Sequence, residues 1–174
     1  MKTLAVLAHY DDEAISCPQY LLDHPGTTIF TVCGNDPQRH EYFDRVVDDV
    51  LAHELRANFK AFEVTSANIP AIADIIRSTV VYCGIERVIT HHPLDLHQDH
   101  NITNQAVQIA LRRLPDVELF YVKNPEGFPF ADVHWDTIIK RTDEANGLVR
   151  YYKGINYPPV SEYEYYQTVR RFSI

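Results

Sequence analysis

The sequence predicts a three-layer α/β sandwich with a mainly parallel sheet, because short apolar runs alternate with helical patterns along the chain. Five runs have the length and continuous apolar character of strands buried on both faces: residues 4–8, 27–32, 61–64, 87–90 and 117–122. Strands that alternate with helices form βαβ units, which cover both faces of a parallel sheet. The expected architecture is therefore Rossmann-like, and the 174 residues fit one domain spanning residues 1–174.

The helices are predicted from apolar spacing and from residues that start or stop helices. Four segments repeat apolar residues at spacings of three and four: residues 40–60, 72–81, 102–114 and 135–152. The last of these is expected to end near Gly154. Ser16 and Pro18 mark the start of a further short helix, because proline is tolerated in a first helical turn, and the segment 24–26 (His-Pro-Gly) ends it.

The composition argues against several classes of function. A net charge of −8 argues against a protein that binds the phosphate backbone of nucleic acid. No apolar run approaches the roughly 20 residues that a membrane-spanning helix needs. Cys17, Cys33 and Cys83 are widely spaced and form no CxxC, which predicts reduced thiols, a cytoplasmic location and no cysteine ligand for a metal. The expected partner is a small-molecule substrate, and a homo-oligomer is compatible with the sequence.

Two polar clusters follow predicted strands at their carboxyl ends. The segment 4–13 (LAVLAHYDDE) places one imidazole and three carboxylates directly after the first strand, and the segment 90–100 (THHPLDLHQDH) follows the fourth. Carboxylates beside a core strand must pair, protonate or bind a metal, because their desolvation is costly. Because the carboxyl ends of parallel strands share one edge of the sheet, we expect the two clusters to meet.

The residue types in these clusters are those of a hydrolytic metal site. Zinc in such a site takes three ligands from His, Asp and Glu and leaves a position for water and substrate. His9 and Asp12 are close enough to reach one ion, and His97 and His100 offer further imidazoles. Asp11 is then free to act as a general base. Zinc is the expected ion, although iron or manganese suits the same donors.

At these residues the chain resembles the zinc-dependent N-deacetylases of the LmbE-like or PIG-L family. Those enzymes carry AHPDDE after the first strand and an HPDH or HxxDH-type motif after a later one, where this sequence has AHYDDE (8–13) and HQDH (97–100). The likeness extends more weakly through patterns at residues 31–34, 45–52 and 101–106. The resemblance implies a metal-dependent hydrolase that removes the N-acetyl group from an N-acetylglucosamine-type amino-sugar conjugate.

The resemblance also implies a role for each matching residue. The matches to the family's metal ligands are His9, Asp12 and His100. Asp11 matches the general base that activates the attacking water and returns the proton to the amine. His97 matches the histidine that stabilises the tetrahedral oxyanion, and Asp99 matches the carboxylate that orients it and favours its cationic form.

Two residues are candidates for substrate contacts. Tyr10 stands where the family has proline, and its ring could narrow the pocket or stack on a sugar. Arg45 could reach a substrate hydroxyl, although an ion pair with Asp48 or Asp49 explains it equally well. The tyrosine-rich segment 151–166 is expected to pack over the domain, with a sugar-stacking surface or a subunit contact as alternatives.

The residues just before the second motif are expected to support it. Asp95 is the best candidate to hold a metal ligand in place through a hydrogen bond. His91 and His92 could belong to a second metal site, but hydrogen bonds within the loop are the favoured interpretation.

Two other functions fit parts of the sequence. A sugar- or nucleotide-binding module with a vestigial metal site fits the altered motif residues, but it leaves the complete set of motif residues unexplained. A metal-dependent phosphoesterase is expected to have more carboxylate ligands and a basic phosphate clamp, and Arg87, Arg112 and Arg113 form no evident clamp.

Overall fold

The computed structural model describes residues 1–125, 133–152 and 161–169, which contain one seven-stranded sheet. Its strands are β1 (Thr3–Leu7), β2 (Thr28–Thr31), β3 (His53–Arg56), β4 (Arg87–His91), β5 (Glu118–Val122), β6 (Thr137–Lys140) and β7 (Tyr163–Val169). They lie in the order β3-β2-β1-β4-β5-β7-β6. The first five strands are parallel, whereas β7 runs antiparallel to both β5 and β6. The predicted α/β fold with a mainly parallel sheet is confirmed.

The described residues form six α-helices beside the sheet: α1 (Asp12–Ser16), α2 (Pro18–Asp23), α3 (Pro37–Asp49), α4 (Ile69–Cys83), α5 (Gln98–Leu111) and α6 (Asp143–Gly147). Short 3₁₀ helices span Ser66–Asn68 and Leu148–Tyr151. Across the described parts of the chain, no helix combines the length and apolar character that crossing a membrane requires.

Strand β1 separates two apolar cores, because its successive side chains point to opposite faces of the sheet. Leu4 and Val6 belong to the core beneath α4 and α5, whereas Ala5 and Leu7 belong to the core beneath α1, α2 and α3. All four side chains are fully buried. This alternation produces the expected three layers and explains why β1 is apolar at every position from Leu4 to Leu7.

The prediction of one helix over residues 40–60 is wrong beyond Asp49. Helix α3 ends there, Leu51 adopts a positive φ of 52°, and residues 53–56 form the edge strand β3. Leu55 packs against the core from this strand, so its apolar character reflects strand burial rather than a continued helix. The strand predicted at residues 61–64 is also wrong: that segment forms turns, in which Phe62 has a φ of 64°.

The single helix predicted over residues 135–152 is also wrong, because this stretch contains β6, α6 and a 3₁₀ turn. Its expected end near Gly154 lies outside the described residues. Within the tyrosine-rich segment, Tyr152 and Tyr166 are buried in the core, as expected for a segment that packs over the domain. Tyr157 also lies outside the described residues.

Candidate active site

The two motifs meet at the carboxyl ends of β1 and β4, which are neighbours in the sheet. After β1 the chain continues to β2 on one side of this pair, and after β4 it continues to β5 on the other side. The crevice between the two connections is where ligands bind in open α/β sheets. His9 Nε2 lies 2.9 Å from Asp99 Oδ2, and Asp12 Oδ1 lies 3.4 Å from His100 Nε2. The predicted meeting of the two clusters is therefore observed.

The first motif forms a tight turn between β1 and α1. Asp12 Oδ2 accepts a hydrogen bond of 2.8 Å from the backbone N–H of His9. Asp11 has a φ of 107°, a left-handed conformation that costs a non-glycine residue about 1–3 kcal/mol. Glu13 Oε2 stabilises the turn by accepting from the Asp11 N–H at 3.0 Å, and Glu13 Oε1 in turn accepts from the Tyr152 hydroxyl.

Two histidines approach the Asp12 carboxylate, one at each of its oxygens. His9 Nδ1 lies 3.6 Å from Asp12 Oδ2, and His100 Nε2 lies 3.4 Å from Asp12 Oδ1. The opposite nitrogen of each histidine contacts a carboxylate: His9 Nε2 contacts Asp99, and His100 Nδ1 contacts Asp95 Oδ2, both at 2.9 Å. A nitrogen that bonds a carboxylate carries the hydrogen, so the opposite nitrogen presents its lone pair to a metal.

The electrostatics of this cluster fit a divalent ion. Burial favours the neutral form of Asp12, but the charge on His100 and hydrogen bonds from His100 and His9 outweigh it and hold the pKa of Asp12 well below its usual value. Burial likewise opposes protonation of the two histidines, yet their carboxylate neighbours raise the pKa of His9 to about 12 and that of His100 to about 9. The carboxylates thus attract positive charge, which either protons or a metal ion can supply. The donor set of two imidazoles and a carboxylate suits zinc and several other divalent ions.

His91 and His92 make hydrogen bonds to the first motif, to their own loop and to β7, and the ligand atoms of Asp12, His91 and His100 also lie within 4.8 Å of one another. His91 Nε2 accepts from the Ala8 N–H at 2.9 Å, so its lone pair is engaged even though it lies 3.3 Å from Asp12 Oδ2. Burial, followed by the neighbouring His100, lowers the pKa of His91 and keeps its ring neutral. His92 Nδ1 accepts from the Leu94 N–H, and its Nε2 contacts Gln167 Oε1 at 3.0 Å.

His97 is oriented by the backbone of Asp99, whose carboxylate instead contacts His9. The Asp99 N–H donates to His97 Nδ1 at 3.2 Å, which leaves the hydrogen of a neutral His97 ring on Nε2. Burial lowers the pKa of His97, and the charges on His100 and His9 lower it further. His97 is therefore a neutral hydrogen-bond donor here, whereas the sequence interpretation favoured its cation.

Arginine reaches the site from a position that the sequence did not indicate. Arg39 Nη1 lies 2.8 Å from Asp11 Oδ2. Arg39 stands in the first turn of α3, where its backbone N–H donates to Asp36 at the start of the helix. Arg45, the predicted substrate contact, lies on exposed surface and pairs with Glu41 at 3.1 Å. The helix start at Asp36 and Pro37, just after β2, was the signal in the sequence that could have identified Arg39.

Tyr10 lies in the wall of the site, but its ring packs into the core. The residue is only 1 % exposed, and its ring lies 4.8 Å from that of Phe43 in α3. Its hydroxyl donates to the Gly34 carbonyl at 3.2 Å. Any Cβ at Gly34 would lie 2.6 Å from the Ala57 carbonyl oxygen, so this position requires glycine. In this arrangement the ring supports the turn instead of presenting a face to a sugar.

A cavity of about 640 Å³ opens over the cluster. The motif residues that line it are His9, Tyr10, Asp11, Asp12, His97 and His100. Other residues of the lining, to which the sequence motifs gave no role in the site, include Cys33, Arg39, Lys60, Phe62, Leu96 and Asn124. Asn124 Nδ2 donates to Asp12 Oδ1 at 3.2 Å. Its place at the end of β5, next to β4, was the available signal for this residue.

No protein-family model and no curated protein matches the chain by sequence. Its fold is nevertheless that of several solved enzymes, among them deacetylases. A triple mutant of the deacetylase Orf2 from the teicoplanin biosynthetic pathway matches with a TM-score of 0.76 at 16 % identity, over 97 % of both chains. The N,N'-diacetylchitobiose deacetylase of Pyrococcus horikoshii matches with a TM-score of 0.71 at 12 % identity, over 97 % of this chain and 84 % of that one.

The same fold also carries a different reaction. GalB, a 4-carboxy-2-hydroxymuconate hydratase of Pseudomonas putida, matches with a TM-score of 0.65 at 15 % identity, over 97 % of this chain and 96 % of that one. The likenesses therefore confirm the fold implied by the resemblance to the LmbE-like and PIG-L family. The reaction has to be argued from the site itself.

Proposed function

We propose that this protein is a metal-dependent hydrolase that removes the N-acetyl group from an N-acetylglucosamine-type amino-sugar conjugate. The observation that carries the proposal is the approach of His9 Nδ1 and His100 Nε2 to Asp12, at 3.6 Å and 3.4 Å, with Asp99 and Asp95 holding the far nitrogens of the two histidines. The similarity in fold to the teicoplanin and diacetylchitobiose deacetylases supports the same reaction class.

The metal would be held by His9 Nδ1, Asp12 and His100 Nε2. A divalent ion bound there polarises an amide oxygen and lowers the pKa of water. Zinc is the first candidate for this ion. The structure of the zinc-inhibited form of the teicoplanin deacetylase Orf2 has a similar fold, with a TM-score of 0.69 at 14 % identity over 87 % of this chain and 84 % of that one, so zinc can also inhibit an enzyme of this fold. Direct metal analysis is therefore part of the test below.

Asp11 is the proposed general base. Its turn places its carboxylate in the cavity wall beside Asp12, where it can take a proton from the attacking water and deliver it to the departing amine. Arg39 fixes one oxygen of this carboxylate at 2.8 Å. The left-handed backbone and this ion pair together determine where the base points.

His97 is the proposed hydrogen-bond donor to the oxyanion. Its Nδ1 accepts from the Asp99 backbone, so its Nε2–H is available to the amide oxygen as negative charge develops there. A neutral donor fixed in this way needs no proton transfer to act, and loss of one such donor typically costs about 10²–10³ in kcat.

The cavity has room for a sugar and part of its conjugate, since ligand pockets typically measure about 300–1,000 Å³. Phe62 is 72 % exposed beside it, and its ring lies 5.0 Å from that of His97. An exposed aromatic ring of this kind can pack against the apolar face of a pyranose. These features support an amino-sugar substrate.

The test combines metal analysis with acetate release from a panel of N-acetylglucosamine conjugates, including free sugars, glycosides and nucleotide sugars. We expect about one ion per chain and release of acetate from at least one conjugate. Asp11→Asn should retain the ion and lose turnover. Full activity after extraction with a chelator would overturn the role of the metal. Binding of the same conjugates without acetate release would instead favour the sugar- or nucleotide-binding module.

A further inference from the structure

Cys33 lies near Nε2 of His9, the ring nitrogen that the proposed catalytic ion does not use. Its Sγ is 3.8 Å from Asp99 Oδ2, and His9 Nε2 is 2.9 Å from the same oxygen. The ligand atoms of these three residues all lie within 4.8 Å of one another, and all three residues are buried. The sequence predicts no cysteine ligand from the absence of a CxxC, whereas the fold brings this single thiol close to a histidine and a carboxylate.

The spacing of these atoms fits a metal ion. Tetrahedral zinc binds sulfur at about 2.3 Å and nitrogen or oxygen at about 2.0–2.2 Å, so its ligand atoms stand about 3.3–3.6 Å apart. The observed separations of 2.9 Å and 3.8 Å differ from that range by a few tenths of an ångström. Small side-chain movements would seat an ion between Cys33, His9 and Asp99.

Asp99 provides an independent indication of a cation. Its Oδ1 is buried and has no hydrogen-bond partner among the residues that the structure describes, whereas its Oδ2 accepts from the Phe62 N–H at 2.8 Å. A buried carboxylate oxygen without a partner is energetically costly, and a cation that bound both oxygens of Asp99 would remove that cost. Because His9 and Cys33 line the cavity, an ion has access from solvent.

We propose that Cys33, His9 Nε2 and Asp99 form a second metal site, which takes zinc or another thiophilic divalent ion. As the ion binds Sγ and Nε2, the thiol proton and the Nε2 proton are released to solvent, and Asp99 contributes its carboxylate. His9 would then bridge two ions through its two ring nitrogens. In this one respect the inference rests on the proposed function, which assigns His9 Nδ1 to the catalytic ion.

The second ion replaces the hydrogen bond that orients His9, so we expect it to inhibit hydrolysis. An activity that rises with the first equivalent of zinc and falls as further zinc is added would be the kinetic consequence. Such inhibition should weaken in Cys33→Ser, which lacks the soft ligand.

The decisive experiment titrates the metal-free protein with cadmium and does not depend on activity. Cadmium bound to a thiolate gives a charge-transfer band in the ultraviolet, and equilibrium dialysis with elemental analysis counts the ions. The variants are wild type, Cys33→Ser and the matched control Cys83→Ser, which removes an exposed thiol. Cys17 is present in all three proteins, so it cannot account for a difference between them.

We expect wild type and Cys83→Ser to show the thiolate band and to bind one more ion than Cys33→Ser, which should lack the band. A band of equal strength in Cys33→Ser, or no band in wild type, would overturn the proposal. If Cys33→Ser fails to fold by circular dichroism, Asp99→Asn provides the test, with an expected loss of about tenfold or more in cadmium affinity at the thiol. Unchanged affinity in Asp99→Asn would also overturn it. If no substrate is hydrolysed, the proposed function fails, whereas the band and the ion count still decide the second site.

Discussion

The hydrogen bond between Asp95 and His100 should set the affinity of the proposed catalytic metal site. Asp95 Oδ2 lies 2.9 Å from His100 Nδ1, and Asp95 Oδ1 accepts from the His97 N–H at 2.9 Å. The carboxylate is buried and makes His100 Nε2 a stronger electron-pair donor toward Asp12 and the ion. Asp95→Asn keeps the size of the side chain but removes this charge.

Loss of such a carboxylate partner typically weakens metal binding about 10–100-fold, which corresponds to about 1.4–2.7 kcal/mol. Competition of the metal-free protein with a chromogenic chelator for zinc would measure the change. Asp74→Asn is the matched control, because Asp74 is exposed on α4 and pairs with Arg77. We expect its zinc affinity to equal that of wild type.

His100→Ala should lose more affinity than Asp95→Asn, because it removes a ligand rather than the group that holds it. An Asp95→Asn protein that binds zinc as tightly as wild type, beside a weakened His100→Ala, would refute the role of Asp95. Unchanged affinity in His100→Ala would refute the ligand set itself.

Three further predictions test the base, its neighbour and the titration of the ligands. Asp11→Asn should lower kcat by at least about 10² while retaining the metal, and turnover near wild type in the metal-loaded variant would contradict its role as base. Arg39→Ala should lower kcat by releasing the Asp11 carboxylate, whereas the control Arg45→Ala should not, and equal effects of the two substitutions in the acetate assay would refute this difference. The pKa values of about 12 for His9 and about 9 for His100 leave both histidines protonated at neutral pH, so zinc must displace their protons. The affinity for zinc should therefore rise with pH, and calorimetry in several buffers should show the release of about two protons at pH 7. Release of no protons would contradict this prediction.

The central strands could be predicted from the sequence, but the edges of the sheet could not. Strands β1 and β4 are buried on both faces, and both therefore contain adjacent apolar residues, Leu4–Leu7 in β1 and Val88 and Ile89 in β4. Edge strand β3 has the polar sequence HELR at residues 53–56, which continues the apolar spacing of α3 and so imitates a helix. Strands β6 and β7 pair antiparallel at the other edge, where exposed polar residues interrupt the apolar pattern.

The sequence predicts where the site lies, because the order of the strands brings the two motifs together. The motifs after β1 and β4 meet because those strands are neighbours in the Rossmann order of the sheet. Contacts from other elements depend on helix rotation and loop path, which the motifs do not encode. Arg39 reaches Asp11 and Cys33 reaches Asp99 for this reason, while Arg45 lies on the outer surface of α3.

Tyr10 makes the order of the first motif depend on the rest of the domain. A proline at this position would restrict the turn through its own ring, in the folded and the unfolded chain alike. Here the restriction comes from contacts with Phe43 and Gly34, which exist only once α3 and the segment after β2 are in place. The turn can therefore open only when this part of the core loosens, so its amide hydrogens should exchange with solvent about as slowly as those of β1. Ordering of the motif and folding of the domain thus become one cooperative event.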